Sequence, residues 1–129
     1  MDTLVIVAAS LAGLIHIGFW VMESLLWRRP AVHRRFGVRD LDLAAVQQPV
    51  FFNLGFYNLF LAVGTFVGVV CVLTGTRTVG WTLIIFGTAS MTAAAVVLVC
   101  TGRRFVRPAA TQALFPVLCL IFSLLSRVT

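Results

Sequence analysis

Four uninterrupted apolar runs occupy most of the 129-residue sequence and limit its possible folds more than any other feature. They cover residues 3–27, 49–73, 79–100 and 109–125. A bilayer core about 30 Å thick needs roughly 20 helical residues, within a range of about 17–25, so each run is long enough to span a membrane. Because the apolar residues are continuous rather than alternating, the runs predict helices and not the strands of a β-barrel.

Composition excludes the soluble alternatives. Hydrophobic residues make up 60 % of the chain and charged residues 11 %, whereas a soluble domain is about half apolar and about a quarter charged. A chain of 129 residues has too little interior to bury so much apolar surface, and a disordered chain has low hydrophobicity. We therefore predict an all-α membrane protein, with residues 1–129 forming a single domain of four helices in an up-down bundle.

The arginines predict the topology. All ten basic residues are arginines, and eight of them lie in the connections at 28–48 and 101–108. Cytoplasmic loops of membrane proteins are enriched in Lys and Arg, so we expect both connections in the cytoplasm, both termini outside, and the chain in the cell membrane. The net charge of +6 is then explained by topology and by contact with anionic lipids, and no nucleic-acid partner is expected.

The first connection carries three further signals. Asp40 is placed to cap a short interfacial helix over 41–48, which we expect to bend at Pro49 before the second span. Trp27 is expected near a membrane interface, where its indole N–H stays in contact with water. His33 lies among the arginines and is expected to be a solvated loop residue.

Two ionisable residues, His16 and Glu23, lie inside a predicted span. They are two helical turns apart and therefore project from nearly the same helix face. A charged group near the middle of a membrane helix costs about 2.5–3.5 kcal/mol on insertion scales, so such residues are candidates for function. The alternatives are that the pair only joins helices, or that Glu23 reaches an arginine at the interface.

The second span offers matching polar residues. Asn53 and Tyr57 are spaced i, i+4 on one face, and Asn58 is adjacent. Counted from the Arg-rich side, Glu23 lies at the depth of Asn53, and His16 lies near that of Tyr57 and Asn58. We predict one polar cavity that opens towards the cytoplasm. Its expected lining is His16, Glu23, Asn53, Tyr57 and Asn58.

Two other features complete the candidate residues. Gln112 in the fourth span is a further ligand-binding candidate. Gly64 and Gly68 form a G-x-x-x-G on the face of Tyr57, which predicts close helix packing within the chain or between protomers.

The run from His16 to Glu23 followed by Trp27, then Phe36-Gly37, then Asn53-Leu-Gly-Phe-Tyr-Asn58, resembles the small four-helix membrane proteins of domain-of-unknown-function family 1304. The resemblance covers nearly the whole chain. Leu54 stands where members commonly have Gln. The resemblance implies the four-helix fold and a membrane location, and it implies no activity.

Three classes of function are compatible with these residues. The first is binding of a lipophilic small molecule, or an accessory role in a larger membrane assembly. The second is an intramembrane isomerase or hydrolase with His16 and Glu23 as the acid–base pair, and with Tyr57 and an asparagine as oxyanion donors. The third is a proton-coupled transporter that uses Glu23.

No cofactor is predicted, and haem ligation by His16 is the alternative. The three cysteines are widely spaced without a metal-ligand pattern, so no metal site is predicted. The expected partners are the lipid bilayer, a lipophilic small molecule, and either further copies of the chain or a membrane complex.

Overall fold

The computed structural model describes residues 1–128, which form helices joined by short turns. The helices are α1 (Asp2–Trp20), which continues as a π-helical turn (Val21–Leu25), α2 (Pro30–His33), α3 (Leu41–Leu73), α4 (Arg77–Thr101) and α5 (Val106–Val128). Short 3-10 turns cover Arg34–Phe36 and Arg103–Phe105. The described residues contain no strand, so the all-α prediction is confirmed.

Four helical segments are long and apolar enough to cross a membrane, as the sequence predicts. They are Asp2–Leu25, Leu41–Leu73, Arg77–Thr101 and Arg103–Ser126. Their side chains are apolar on most sides, which suits a lipid environment. Each helix also satisfies its own backbone hydrogen bonds, as a segment must where water is absent.

The second span differs from the prediction at its start. The sequence predicts a short interfacial helix over 41–48 that leads into the second span with a bend at Pro49; in the structure both form one helix, α3, which starts at Leu41 and includes Pro49. Proline removes one hydrogen bond of the helical ladder, and the turns on either side carry the helix through. The predicted cap is confirmed, because the Asp40 carboxylate accepts a hydrogen bond of 2.8 Å from the backbone N–H of Leu43.

The chain folds as two compact units. The first combines Met1–Ile15 with the residues from Leu61 onward, and the second comprises His16–Phe60. In the first unit, all four spanning helices contribute side chains to one buried apolar cluster. Its members are Val5, Ala8, Ala9, Val69, Val72, Ile84 and Cys119. This cluster makes the first unit a helical bundle, while the single domain expected over 1–129 stays a prediction.

Small residues set the distance between α3 and α4 in the first unit. A Cβ atom added to Gly68 would lie 2.9 Å from the carbonyl oxygen of Gly80, and one added to Gly80 would lie 2.6 Å from the backbone N of Val72. Only glycine permits so close an approach of two helix backbones. Gly64 differs, because nothing lies within 4 Å of a Cβ added there. Within the described chain, the close contact of the G-x-x-x-G is therefore made by its second glycine.

In the second unit, an aromatic cluster closes the connection between the first two spans. Trp27 is 2 % exposed and stacks on Phe51, with ring centroids 3.7 Å apart. Its indole donates a hydrogen bond to the carbonyl oxygen of Ala44, and Phe36 covers another side of the ring. The sequence predicts that the indole N–H of Trp27 stays in contact with water, but the structure buries it. α3 starts early enough to provide the carbonyl oxygen of Ala44 and the ring of Phe51 as its partners.

His33 is likewise buried rather than solvated. Its side chain is fully buried, and Nδ1 lies 2.6 Å from the carbonyl oxygen of Val38. The arginines around it are exposed, so the charge pattern of the connection did not indicate that His33 faces inward.

Candidate functional site

The π-helical turn Val21–Leu25 determines where Glu23 points. The backbone N–H of Leu26 donates to the carbonyl oxygen of Val21, five residues earlier, at 2.9 Å. The wider turn rotates the residues within it relative to a continuous α-helix, and π-turns of this kind are frequent at functional sites. Glu23 lies in the middle of this turn and is only 4 % exposed.

Glu23 makes a hydrogen bond to α3. The side-chain amide of Asn58 donates to Oε2 of Glu23 at 2.8 Å. Among the described residues, Asn58 is the hydrogen-bond donor to this carboxyl. A carboxylate can accept about four hydrogen bonds, so this group retains capacity for another partner.

Gly55 makes the approach between these two chain segments possible. A Cβ added to Gly55 would overlap Oγ of Ser24 and would lie 3.1 Å from Cβ of Glu23. Oγ of Ser24 donates to the carbonyl oxygen of Phe52 at 2.8 Å, three residues before Gly55. Two hydrogen bonds from adjacent residues of the π-turn therefore join it to α3 on either side of one glycine.

The observed pairing differs from the depth count made on the sequence. Glu23 bonds Asn58, whereas the count matched Glu23 with Asn53, which is exposed. Tyr57 is 62 % exposed. Asn53 and Tyr57 do share a helix face, but the face turned inward is the one that carries Gly55 and, three residues later, Asn58.

The remaining predicted residues are placed as follows. His16 is fully buried in the second unit, and its ring packs edge-on against Phe19 at a centroid distance of 5.9 Å. Gln112 is half-buried on α5 in the first unit. The direct contact that the structure provides is that of Glu23 with Asn58. That one cavity is lined by the five residues predicted from the sequence stays a prediction: His16, Glu23, Asn53, Tyr57 and Asn58.

Sequence reasoning missed Trp20. Its indole Nε1 is buried and has no hydrogen-bond partner among the described residues, and its ring packs edge-on against Phe56 at 6.1 Å. A buried donor without an acceptor is costly, which makes it a candidate contact for a bound molecule. The available signal was its position three residues before Glu23, on the same side of a helix.

Three polar groups of the second unit are therefore candidates for contact with a bound molecule. The carboxyl of Glu23 accepts a hydrogen bond from the side-chain amide of Asn58 on α3, and the indole N–H of Trp20 is available to donate. In residues 1–128, no group of three or more His, Cys, Asp or Glu side chains is arranged to hold a metal ion. The chemistry of the three groups favours recognition of a polar atom by hydrogen bonds.

Comparison with known proteins supplies a family and no activity. No curated protein and no solved structure matches the chain. The model of one family, described as a protein of unknown function (DUF1304), matches residues 10–124, and so includes the π-turn, the aromatic connection and all the polar residues named above. The chain therefore belongs to the DUF1304 family of proteins of unknown function, and four of its own helical segments are long and apolar enough to cross a membrane.

Proposed function

We propose that this protein binds a small lipophilic molecule within the membrane, through a single polar group that the Glu23 site recognises. The observation that carries the proposal is the hydrogen bond from Asn58 to the buried carboxyl of Glu23. A hydroxyl on the ligand would donate to the carboxyl of Glu23, and the indole N–H of Trp20, three residues earlier, is a further donor for a polar atom of the ligand.

A binding role accounts for the carboxyl better than packing alone. Interhelical hydrogen bonds between neutral side chains stabilise membrane bundles by about 0.6 kcal/mol each, and an amide pair supplies this without a carboxyl. Desolvating a carboxyl costs more free energy than desolvating an amide. A carboxyl at position 23 therefore favours a task that Gln cannot perform. The buried Trp20 donor supports the same interpretation.

The test is to identify small molecules that remain with the purified protein. The full chain is extracted in mild detergent, and organic extracts of wild type and Glu23→Gln are compared by mass spectrometry. We expect a lipophilic hydroxyl compound at near-stoichiometric amount in wild type and its loss in Glu23→Gln, with the helical content unchanged. Thr82→Val is the control, because its exposed hydroxyl bonds only its own helix. Equal retention by Glu23→Gln and wild type would contradict the proposal.

A further comparison separates the observed site from the wider cavity predicted from the sequence. Asn58→Ala and Asn53→Ala make the same change on one helix, five residues apart. Loss in Asn58→Ala alone supports recognition through the Glu23–Asn58 pair. Loss in both variants supports the larger cluster with Asn53, Tyr57 and His16.

We also propose that the chain forms a homo-oligomer through the outward face of α3 in the second unit. Asn53, Tyr57 and Phe60 are exposed on this face, and Tyr57 and Phe60 are 62 % and 63 % exposed. An amide and a phenol at membrane depth need hydrogen-bond partners that lipid tails do not provide. A second copy presents an identical Asn53, whose amide both donates and accepts.

For orientation, we propose that the Arg-rich connections at 28–48 and 101–108 face the cytoplasm, with both termini outside and the protein in the cell membrane. The charge asymmetry of the sequence supports this. The ion pair between Asp2 and Arg77, 2.6 Å long, is compatible with it, because it joins the starts of α1 and α4 at one end of the first unit.

A further inference from the structure

The connection between the first two spans forms a half-open cavity that the proposed function does not use. It has a volume of about 360 Å³. Its lining comes from the connection and from the first turns of α3, and consists of Arg28, His33, Leu41, Ala44 and Ala45. The volume is at the lower end of small-molecule pockets, which are about 300–1,000 Å³.

His33 contributes a buried hydrogen-bonding group. Its side chain is fully buried, and its Nδ1 lies 2.6 Å from the carbonyl oxygen of Val38, so Nδ1–H is the donor there. Nε2 is buried and has no hydrogen-bond partner within the described chain. In the neutral ring, a protonated Nδ1 leaves Nε2 as an acceptor. His33 is among the residues that line the cavity, and Nε2 is its hydrogen-bonding atom without a partner in the described chain.

Arg28 supplies positive charge with a fixed orientation. Its Nε donates to Oε1 of Gln48 at 2.9 Å, which anchors the guanidinium to α3. The terminal nitrogens make no hydrogen bond to other described residues and are available to an anion, which a guanidinium binds with two parallel bonds. The same connection carries four further exposed arginines: Arg29, Arg34, Arg35 and Arg39.

The cavity is placed where lipid headgroups lie. The first span ends at Leu25 and the second begins at Leu41, so the connection sits at the membrane surface. Leu41 is 64 % exposed at the cavity, and Ala44 and Ala45 add further apolar lining. Apolar side chains beside an arginine and a buried imidazole match a molecule with a charged head and an acyl tail.

We propose that this cavity binds a phosphoglycerol group, supplied by the headgroup of an anionic membrane lipid. The phosphate oxygens accept from Arg28, the glycerol hydroxyl donates to Nε2 of His33, and an acyl chain lies along Leu41. The stacked ring of Trp27 lies 6.3 Å from that of His33 and holds the connection in shape, so the site is formed before the lipid arrives.

The test uses the full chain in phosphatidylcholine nanodiscs that contain a small fraction of a second lipid. Native mass spectrometry then counts the molecules of the second lipid that stay bound when the protein is released from the nanodisc. Phosphatidylglycerol is compared with phosphatidylmethanol, which has the same charge and no hydroxyl. We expect wild type to retain phosphatidylglycerol about tenfold better, because one lost hydrogen bond to a buried partner has about that effect. Equal retention of the two lipids by wild type would overturn the role of His33.

Variants test the two side chains separately. Arg28→Gln should lower phosphatidylglycerol retention about tenfold or more. Its matched control, Arg34→Gln, removes the same charge from an exposed residue outside the cavity and should leave retention near wild type. Equal losses in the two variants would overturn the site in favour of diffuse surface charge. His33→Phe should bind both anionic lipids equally, with Trp27 fluorescence as the check on folding.

The source of the phosphoglycerol group is decided by a final arm. Soluble glycerol 1-phosphate is titrated onto the protein in pure phosphatidylcholine nanodiscs. Weak binding compared with phosphatidylglycerol supports a lipid as the occupant. Binding as tight as that of the lipid would overturn the lipid assignment and indicate a soluble phosphoglycerol compound.

Discussion

The indole Nε1 of Trp27 donates a hydrogen bond of 2.8 Å to the carbonyl oxygen of Ala44, seventeen residues further along the chain. The bond joins the end of the first span to the first turns of α3. The same ring stacks on Phe51 with an interplanar angle of 14°. Together these contacts give the Arg-rich connection a fixed fold, although its composition is that of a solvated loop.

Trp27→Phe should destabilise the protein by about 1–2 kcal/mol, because the substitution removes the hydrogen bond to Ala44 and part of the stacked surface. The free energy of unfolding can be measured by denaturing-detergent titration in mixed micelles. Trp81→Phe is the matched control, since Trp81 is only half-buried and its indole makes no hydrogen bond to another described residue. A loss no greater than that of the control would contradict the structural role of Trp27.

Asp40→Ala should cost about 0.5–2 kcal/mol through loss of the cap on α3. The effect is local, so hydrogen exchange of the backbone amide of Leu43 should accelerate most. Asp42→Ala removes a neighbouring carboxylate that makes no hydrogen bond within the described chain, and it should leave that amide protected. Equal acceleration in both variants would indicate a general charge effect instead of a cap.

Gly68→Ala should destabilise the first unit by about 1–3 kcal/mol, because the new methyl meets the Gly80 backbone, which cannot move aside cheaply. Gly64→Ala has open space and should be neutral or stabilising by up to about 1 kcal/mol. Unfolding titrations of the two variants provide the comparison. Gly64→Leu extends it: unchanged unfolding with loss of a native oligomer would place Gly64 at a contact between protomers.

Gly55→Ala should disturb the π-turn, because its methyl overlaps Oγ of Ser24. We expect a loss of about 1–3 kcal/mol. The double variant with Ser24→Ala should recover part of it, since the obstructing oxygen is gone. Gly18→Ala is the control, because nothing lies within 4 Å of a Cβ at that position. Full stability of Gly55→Ala would show that Glu23 and α3 are not in close contact.

The proposed orientation predicts the outcome of cysteine labelling. In a background without the native cysteines, Arg34→Cys and Thr74→Cys place single thiols at exposed residues of the first and second connections. A membrane-impermeant maleimide should label intact cells at position 74 and should reach position 34 only after permeabilisation. Labelling of position 34 in intact cells would reverse the topology.

The number of spans, their helical nature and the Asp40 cap could all be predicted without the fold. These depend on local properties, since hydropathy over about 20 residues decides insertion and a cap requires only neighbouring atoms. Glu23 stood out for the same reason, as an ionisable group within an apolar run costs free energy wherever the helix packs.

Which residues meet depends on how the helices pack. A helix brings successive residues around by about 100°, so the choice between Asn53 and Asn58 as the partner of Glu23 depends on a rotation that hydropathy does not record. The π-turn at Glu23 and the close approach at Gly55 fix that rotation. The burial of Trp27 and His33 has the same origin: their partners, Ala44 and Val38, are supplied by the way the connection folds back on itself.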